Sequence, residues 1–326
     1  MQPHDHAHDH DHGAHKHGAH GVAGRGRRAL AVAFVLTASF CGAEAIAGLM
    51  TGSLALISDA THMLTDALGL LVALAAATMG ARPRGGRSTF GMRRLPVLGG
   101  LFNALLVLGA SVFIVVEAVH RLASPRPIDG VPVIIVAALG LLVNLGGAWL
   151  MHRSGDQSVN MRGAMLHMLG DALGSVAALV SGVVLWAGGN PIVDPIASLV
   201  VAVIITVGAV RLLLDVSSIL LERAPLHVDV GAVEEVARGI AGVERVVGLH
   251  AWELDSGEAV ASLVLVTSEN DLKLLAGAAD ALRHTLLQRF RIAHTTIEWR
   301  PTESPRACCP PQDIAPHGLQ ADHGHS

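Results

Sequence analysis

Six apolar stretches, at roughly residues 29–50, 53–80, 95–119, 131–151, 163–187 and 192–214, constrain this chain more than any other feature in it. A helix needs ~20 apolar residues to cross the hydrocarbon core of a bilayer, where each backbone polar group must be satisfied within the segment. Every one of the six meets that length. Composition agrees, with 51% hydrophobic and only 15% charged residues, where a soluble domain carries about a quarter charged. Gly, Ala and Ser recur within the stretches, as they do where helices approach closely in lipid. The expectation is an all-α membrane domain of six transmembrane helices over residues 29–214. Thr51-Gly52 leaves room only for a tight hairpin between the first two spans.

Arginine placement orients the bundle. Arg25, Arg27 and Arg28 precede the first span; Arg82, Arg84, Arg87, Arg93 and Arg94 lie between the second and third; Arg153 and Arg162 lie between the fourth and fifth. The opposite side holds Arg121 and Arg126. The positive-inside rule then puts both termini in the cytoplasm. A signal-peptide reading of residues 25–50 fits poorly, because the apolar run is too long, contains Glu44 and leads straight into another span.

After the sixth span the texture changes at Glu222-Arg223-Ala224-Pro225. The pattern predicts helix over 229–240, strands over 243–252 and 259–267, helix over 271–290 and strand over 294–300. Ser256-Gly257 supplies the hairpin turn, and Val260 to Val266 read as a β-branched run. This αββαβ order predicts a small α+β open-faced sandwich in residues 215–300, facing the cytoplasm. Residues 1–28 read as a His-rich disordered cytoplasmic arm and 301–326 as a disordered Cys- and His-containing tail. A net charge of −4 gives no sign of nucleic-acid binding, and three cysteines make no disulfide framework.

The chemistry lies in the second and fifth spans. The second reads Ser58-Asp59-Ala60-Thr61-His62-Met63-Leu64-Thr65-Asp66, and the fifth Leu166-His167-Met168-Leu169-Gly170-Asp171. Both contain His-x-x-x-Asp, a spacing that puts the two side chains on one helix face a turn apart. Asp59 shares the face of His62, one turn toward the outside. An ionisable group at this depth costs ~2.5–3.5 kcal/mol on the insertion scale, so it persists when it pairs, binds or carries a proton. One such motif is equally well a His–Asp pair that holds helices together. Two copies supply two imidazoles and two carboxylates, the number and type that suit tetrahedral zinc. Two carboxylates also neutralise one divalent ion, and protonating both would neutralise the empty site, so metal and protons compete for the same residues. Glu44, Asn103 and Asn144 are read as interhelical hydrogen-bonding residues, with Glu44 the first choice for a proton-responsive side chain.

These residues resemble the cation diffusion facilitator family, specifically its bacterial zinc-exporter branch. The likeness runs from about residue 25 to 300 through Gly52-Ser53-Leu54-Ala55-Leu56, His62-x-x-x-Asp66 and Thr89-Phe90-Gly91. It continues in Ala164-x-x-His167-x-x-x-Asp171 and Leu249-His250-Ala251-Trp252. The resemblance implies a homodimeric antiporter of a bacterial inner membrane that moves Zn2+ out of the cytoplasm in exchange for protons. It implies a ferredoxin-like C-terminal dimerisation domain, and His62, Asp66, His167 and Asp171 as metal ligands. It ties His62 to zinc, since Asp at that position goes with broader cadmium acceptance. Family members with metal sites in the terminal domain carry histidine where this chain has Val264 and Glu298. His250 therefore reads equally as an auxiliary ligand and as an ordinary histidine.

Eight of the 19 histidines fall in the first twenty residues, among them His4, His6, His8, His10 and His12, which suit loose metal capture without a fold. Cys308 and Cys309 offer a second soft pair. Two other classes stay open: a membrane metal sensor or receptor that binds zinc without moving it, and an intramembrane metalloenzyme. The latter needs a His-Glu-x-x-His helix, and here Met63 follows His62 and Met168 follows His167.

Overall fold

The structure is a computed structural model that describes residues 14–51, 54–83, 85–123 and 130–302. It divides into two compact units with the boundary between Val216 and Ser217. The first is built from six helices long and apolar enough to cross a membrane: α1 (Ala14–Thr51), α2 (Leu54–Gly80), α3 (Leu95–Ala123), α4 (Gly130–Ser154), α5 (Val159–Trp186) and α6 (Val193–Leu220). α1 runs along α2 and α4 along α5, with α3 laid against α2 and α5.

Two boundaries differ from the sequence expectation for local reasons. α5 starts at Val159 rather than near residue 163, because Ser158 caps it: its hydroxyl accepts from the Met161 N–H at 3.3 Å. Asp156 in turn accepts from the Ser158 N–H at 2.9 Å, and Gly155, at φ +72°, ends the turn that follows α4. α1 begins at Ala14, ahead of its apolar run, so residues 14–28, expected to belong to a disordered arm, are helical up to the first span, and no Pro interrupts them.

The half of the bundle where the α2–α3 and α4–α5 connections lie is packed on small residues. Ala29, Leu30 and Ala33 of α1 meet Leu70 and Ala73 of α2, Ala148 and Met151 of α4, and Met161, Ala164 and Met168 of α5. α3 and α5 approach so closely that a Cβ on Gly100 would lie 2.9 Å from the Val159 carbonyl oxygen. Toward the other end Val107, Ala177, Val201, Ile205 and Ala209 join α3, α5 and α6. Large apolar side chains such as Phe113, Leu142 and Val203 stay outside these clusters, facing outward as lipid-contacting residues do.

The second unit has the αββαβ order of a ferredoxin-like fold. Helix α7 (Val230–Arg238) precedes strands β1 (Arg245–Glu253) and β2 (Ala259–Thr267); helix α8 (Leu272–Phe290) leads to β3 (Ile292–Pro301). The sheet order is β1-β2-β3, with β1 antiparallel and β3 parallel to β2. Asp229 and Asp271 cap the two helices, Asp229 accepting from the Gly231 and Ala232 N–H groups and Asp271 from the Lys273 N–H. The core joins Val233 and Ala237 of α7 and Leu282, Leu286 and Phe290 of α8 to Ala259, Ala261, Leu263 and Leu265 of β2. Those alternate β2 residues share one face, as the period of a strand requires.

Close backbone approach at Gly100 predicts an asymmetric response to a single methyl. Gly100→Ala drives a Cβ into backbone that cannot yield and is expected to destabilise the protein by about 1–3 kcal/mol. At Gly146 an added Cβ meets nothing within 4 Å, so Gly146→Ala is expected to leave stability unchanged or slightly raised. Thermal unfolding of the two detergent-solubilised variants checks this, and equal melting temperatures count against the packing.

Candidate metal site

Asp66 of α2 and His167 of α5 are brought face to face: His167 Nε2 stands 3.0 Å from Asp66 Oδ1, in hydrogen-bond contact. Each helix then adds its own partner one turn away. His62 Nε2 is 3.9 Å from Asp66 Oδ2, and His167 Nε2 is 3.6 Å from Asp171 Oδ2. One ligand atom each of His62, Asp66 and Asp171 lies within 4.8 Å of the others. Among the described residues this is the sole group of three or more His, Cys, Asp or Glu side chains placed to share an ion. Met168, beside His167, rests over Gly147 of α4, which helps to hold the rotation of α5 that turns His167 toward α2.

The cluster lies at the inner end of a cavity of about 920 Å³. Asp66 and His167 are buried, with side chains 5% and 6% exposed, whereas His62 is 56% exposed and reaches into the open space. Ser111, Asn144, Ser175 and Ser181 add polar groups along the wall. The lining continues to Val131, Arg121 and Asp194, at the end of the bundle where the α3–α4 and α5–α6 connections lie. There Arg121 ties α3 to α6, donating to Asp194 at 3.0 Å and to Glu117 at 2.9 Å. Among the described residues, none on α2 or α5 beyond Asp66 and His167 toward the α2–α3 and α4–α5 connections lines this cavity. Two carboxylates, two imidazoles and one open approach make an arrangement able to take up a divalent cation or protons from one face.

The remaining sequence candidates do not converge here. Glu44 is buried on α1 and is not part of the cavity wall. Asp59 belongs to α2, but its side chain lies outside the described part of the structure. His250 is exposed on β1, opposite Ser262, and is not part of such a ligand group among the described residues. Val264 and Glu298 are register partners on β2 and β3, so the two departures from the family's histidines stand side by side. His4, His6, His8, His10, His12, Cys308 and Cys309 fall outside the described residues. Sequence reasoning did not find Ser111, Ser175, Ser181 and the Arg121–Asp194 pair, because single serines and a loop-proximal arginine carry no spacing signal.

One-sided access gives a direct expectation. In a chain with Cys41, Cys308 and Cys309 replaced by Ser, Ser175→Cys should react with a water-soluble thiol reagent supplied to the α3–α4 connection face. Ala104→Cys, buried at 1% exposure, should stay unlabelled under the same conditions. Labelling of Ser175→Cys only from the opposite face contradicts the cavity as described.

Comparison with known proteins places this arrangement. Residues 30–221 match the cation efflux transmembrane domain. The chain is 38% identical over 283 residues to the zinc transporter ZitB of Escherichia coli, covering 85% of this chain and 89% of that protein. It is 35% identical over 299 residues to the metal cation efflux system protein CzcD of Cupriavidus metallidurans, covering 92% and 93%. A third relative, 32% identical over 278 residues and covering 84% and 89%, is the cadmium, cobalt and zinc/H(+)-K(+) antiporter of Bacillus subtilis. All three are named for moving metal cations and none for an enzymatic reaction, which removes the metalloenzyme reading. Six membrane-length helices and an αββαβ unit, matched to these relatives over most of the chain, make it a multi-pass membrane protein of the cation efflux, or cation diffusion facilitator, family.

Proposed function

We propose that this protein exports Zn2+ from the cytoplasm in exchange for protons, with His62, Asp66, His167 and Asp171 as the ligands of the transported ion. The observation that carries the reading is the convergence of both His-x-x-x-Asp motifs at the closed end of a one-sided cavity. Two imidazoles and two carboxylates suit four-coordinate zinc, and the two negative charges match the ion's two positive ones in a low dielectric. The relatives' names support zinc as cargo, with cadmium and cobalt as further cations of the same class.

Proton exchange follows from the ligand chemistry. Zinc binds neutral imidazole and ionised carboxylate, so protons held by the empty site must leave as the metal enters, and zinc affinity falls as pH falls. In the proposed orientation both termini and the αββαβ unit are cytoplasmic, as the arginine distribution favours. The membrane is then a bacterial inner membrane, and the cavity opens to the more acidic outer side. Protons arriving through it displace the metal, and the protonated, neutral site returns inward at less electrostatic cost than a bare pair of carboxylates. The domain limits follow: a cytoplasmic arm to residue 28, the membrane domain to 214 and a dimerisation domain to 300, in a homodimer surrounded by lipid.

Zinc uptake into inside-out vesicles under an imposed pH gradient tests both parts. Uptake should collapse with the gradient, and should persist in a chain lacking residues 2–13 and 303–326. Asp66→Ala and Asp171→Ala should each lower it by about 100-fold or more, because a lost carboxylate leaves charge uncompensated at a cost on the order of 3–5 kcal/mol. Undiminished uptake after the gradient is dissipated contradicts proton exchange; normal uptake by either variant contradicts the ligand set.

Selectivity gives a second expectation. His62→Asp keeps four ligands but exchanges a nitrogen for a charged oxygen, and should raise cadmium transport relative to zinc. An unchanged cadmium-to-zinc ratio in a competition assay counts against His62 as a ligand.

A further inference from the structure

The inner side of the cluster holds two buried amides that the proposed cycle does not use. Asn103 lies on α3 and Asn160 in the first turn of α5, each only 1% exposed. Asn103 Nδ2 donates to the Gly99 carbonyl at 3.2 Å, and Asn160 Nδ2 donates to the Ala73 carbonyl of α2 at 2.8 Å. A carbonyl only accepts, so these bonds fix which end of each amide is nitrogen. Both Oδ1 atoms therefore point away from those bonds, and neither accepts a hydrogen bond among the described residues. Buried acceptors are satisfied in the great majority of cases, so two orphans in one seam call for a reason.

Their placement supplies one. A Cβ on Gly69 would lie 3.1 Å from Asn103 Oδ1, and one on Gly163 would lie 3.2 Å from Asn103 Cβ. Gly69 is one turn inward of Asp66, and Gly163 is one turn inward of His167. Asn160, bonded to Ala73 and with its Oδ1 against the place where a Gly99 Cβ would be, stands a further turn inward. At 5.4 Å per turn the two oxygens mark steps about 5 and 11 Å from the cluster toward the inner face. Glycine on all three helices lets α2, α3 and α5 close over them.

We propose that Asn103 Oδ1 and Asn160 Oδ1 are relay ligands for the divalent cation between the inner face and the four-residue cluster, closed off in this conformation by the glycine-packed seam. This rests on the transport reading above. Amide oxygens are suited to the task because they replace part of a cation's hydration shell without adding charge. A carboxylate there would hold the ion and cost more when empty, whereas an apolar lining would demand full dehydration in one step. When α3 and α5 part, the same oxygens that are orphaned now become the first donors the ion meets.

The test compares Asn103→Ala and Asn160→Ala, singly and together, with Asn103→Ser and Asn160→Ser in the full-length reconstituted protein. Ala and Ser differ by one oxygen donor. Three quantities are measured with zinc as the probe: equilibrium binding, thermal stability and initial flux from the inner face. Binding at the cluster should be unchanged, while flux in the double Ala variant falls about tenfold and recovers substantially in the Ser pair. Asn103→Ala serves if loss of the Asn160–Ala73 bond prevents folding, since Asn103 bonds only within its own helix; alone it should still slow flux. Wild-type flux in the Ala variants overturns the relay, as does equal slowing in Ala and Ser with a parallel fall in stability, which marks a packing role. Absence of zinc flux in the unmodified chain overturns the transport reading itself, and the relay with it.

Discussion

A carboxylate charge inside a bilayer must be compensated, and Asp66 and Asp171 are the two charges around which this bundle is arranged. Asp66 is met by His167 from the neighbouring helix and by His62 from its own. Asp171 is met by His167. Imidazole offers a proton, a hydrogen bond or a metal-binding lone pair at the same position. That versatility is what allows the four groups to stay in lipid with or without a bound cation, and it makes a metal-for-proton exchange chemically reasonable at this place in the fold.

The packing on either side of the cluster is unequal, and the proposed function draws on the inequality. On the side of the α2–α3 and α4–α5 connections, glycine and alanine on α2, α3 and α5 bring backbones together until a methyl has no room at Gly100. On the other side the helices surround open space, and the Arg121–Asp194 ion pair ties α3 to α6 at the mouth of the cavity. An alternating-access cycle requires that these two ends exchange character about a fixed site. The tight end also holds the two unpartnered amide oxygens of Asn103 and Asn160.

Much of this was legible from residue order. Six runs of membrane length and the αββαβ pattern are carried by hydrophobic period and turn residues, and the structure has both. The two His-x-x-x-Asp motifs announce themselves because charge is rare in such runs. Periodicity gives only contacts within a helix, however. It pairs His167 with Asp171, whereas the shorter contact, at 3.0 Å, is across helices to Asp66. Asn160 escaped notice for a different reason: α5 read as starting near residue 163, so a buried helical amide passed for a loop residue until the Ser158 cap moved the boundary. The cavity and its one-sided opening depend on how helices cross, which no local pattern encodes.

Absorption spectroscopy at the zinc edge, on protein lacking residues 2–20 and 303–326 so that the His and Cys of those terminal segments cannot contribute, tests the central claim most directly. The account predicts four-coordinate zinc at about 2.0–2.2 Å from nitrogen and oxygen donors only, with the outer-shell signature of two imidazoles. That signature should drop to one imidazole in His62→Asp. A sulfur shell near ~2.3 Å, a six-oxygen shell, or an imidazole count unchanged by that substitution would contradict it.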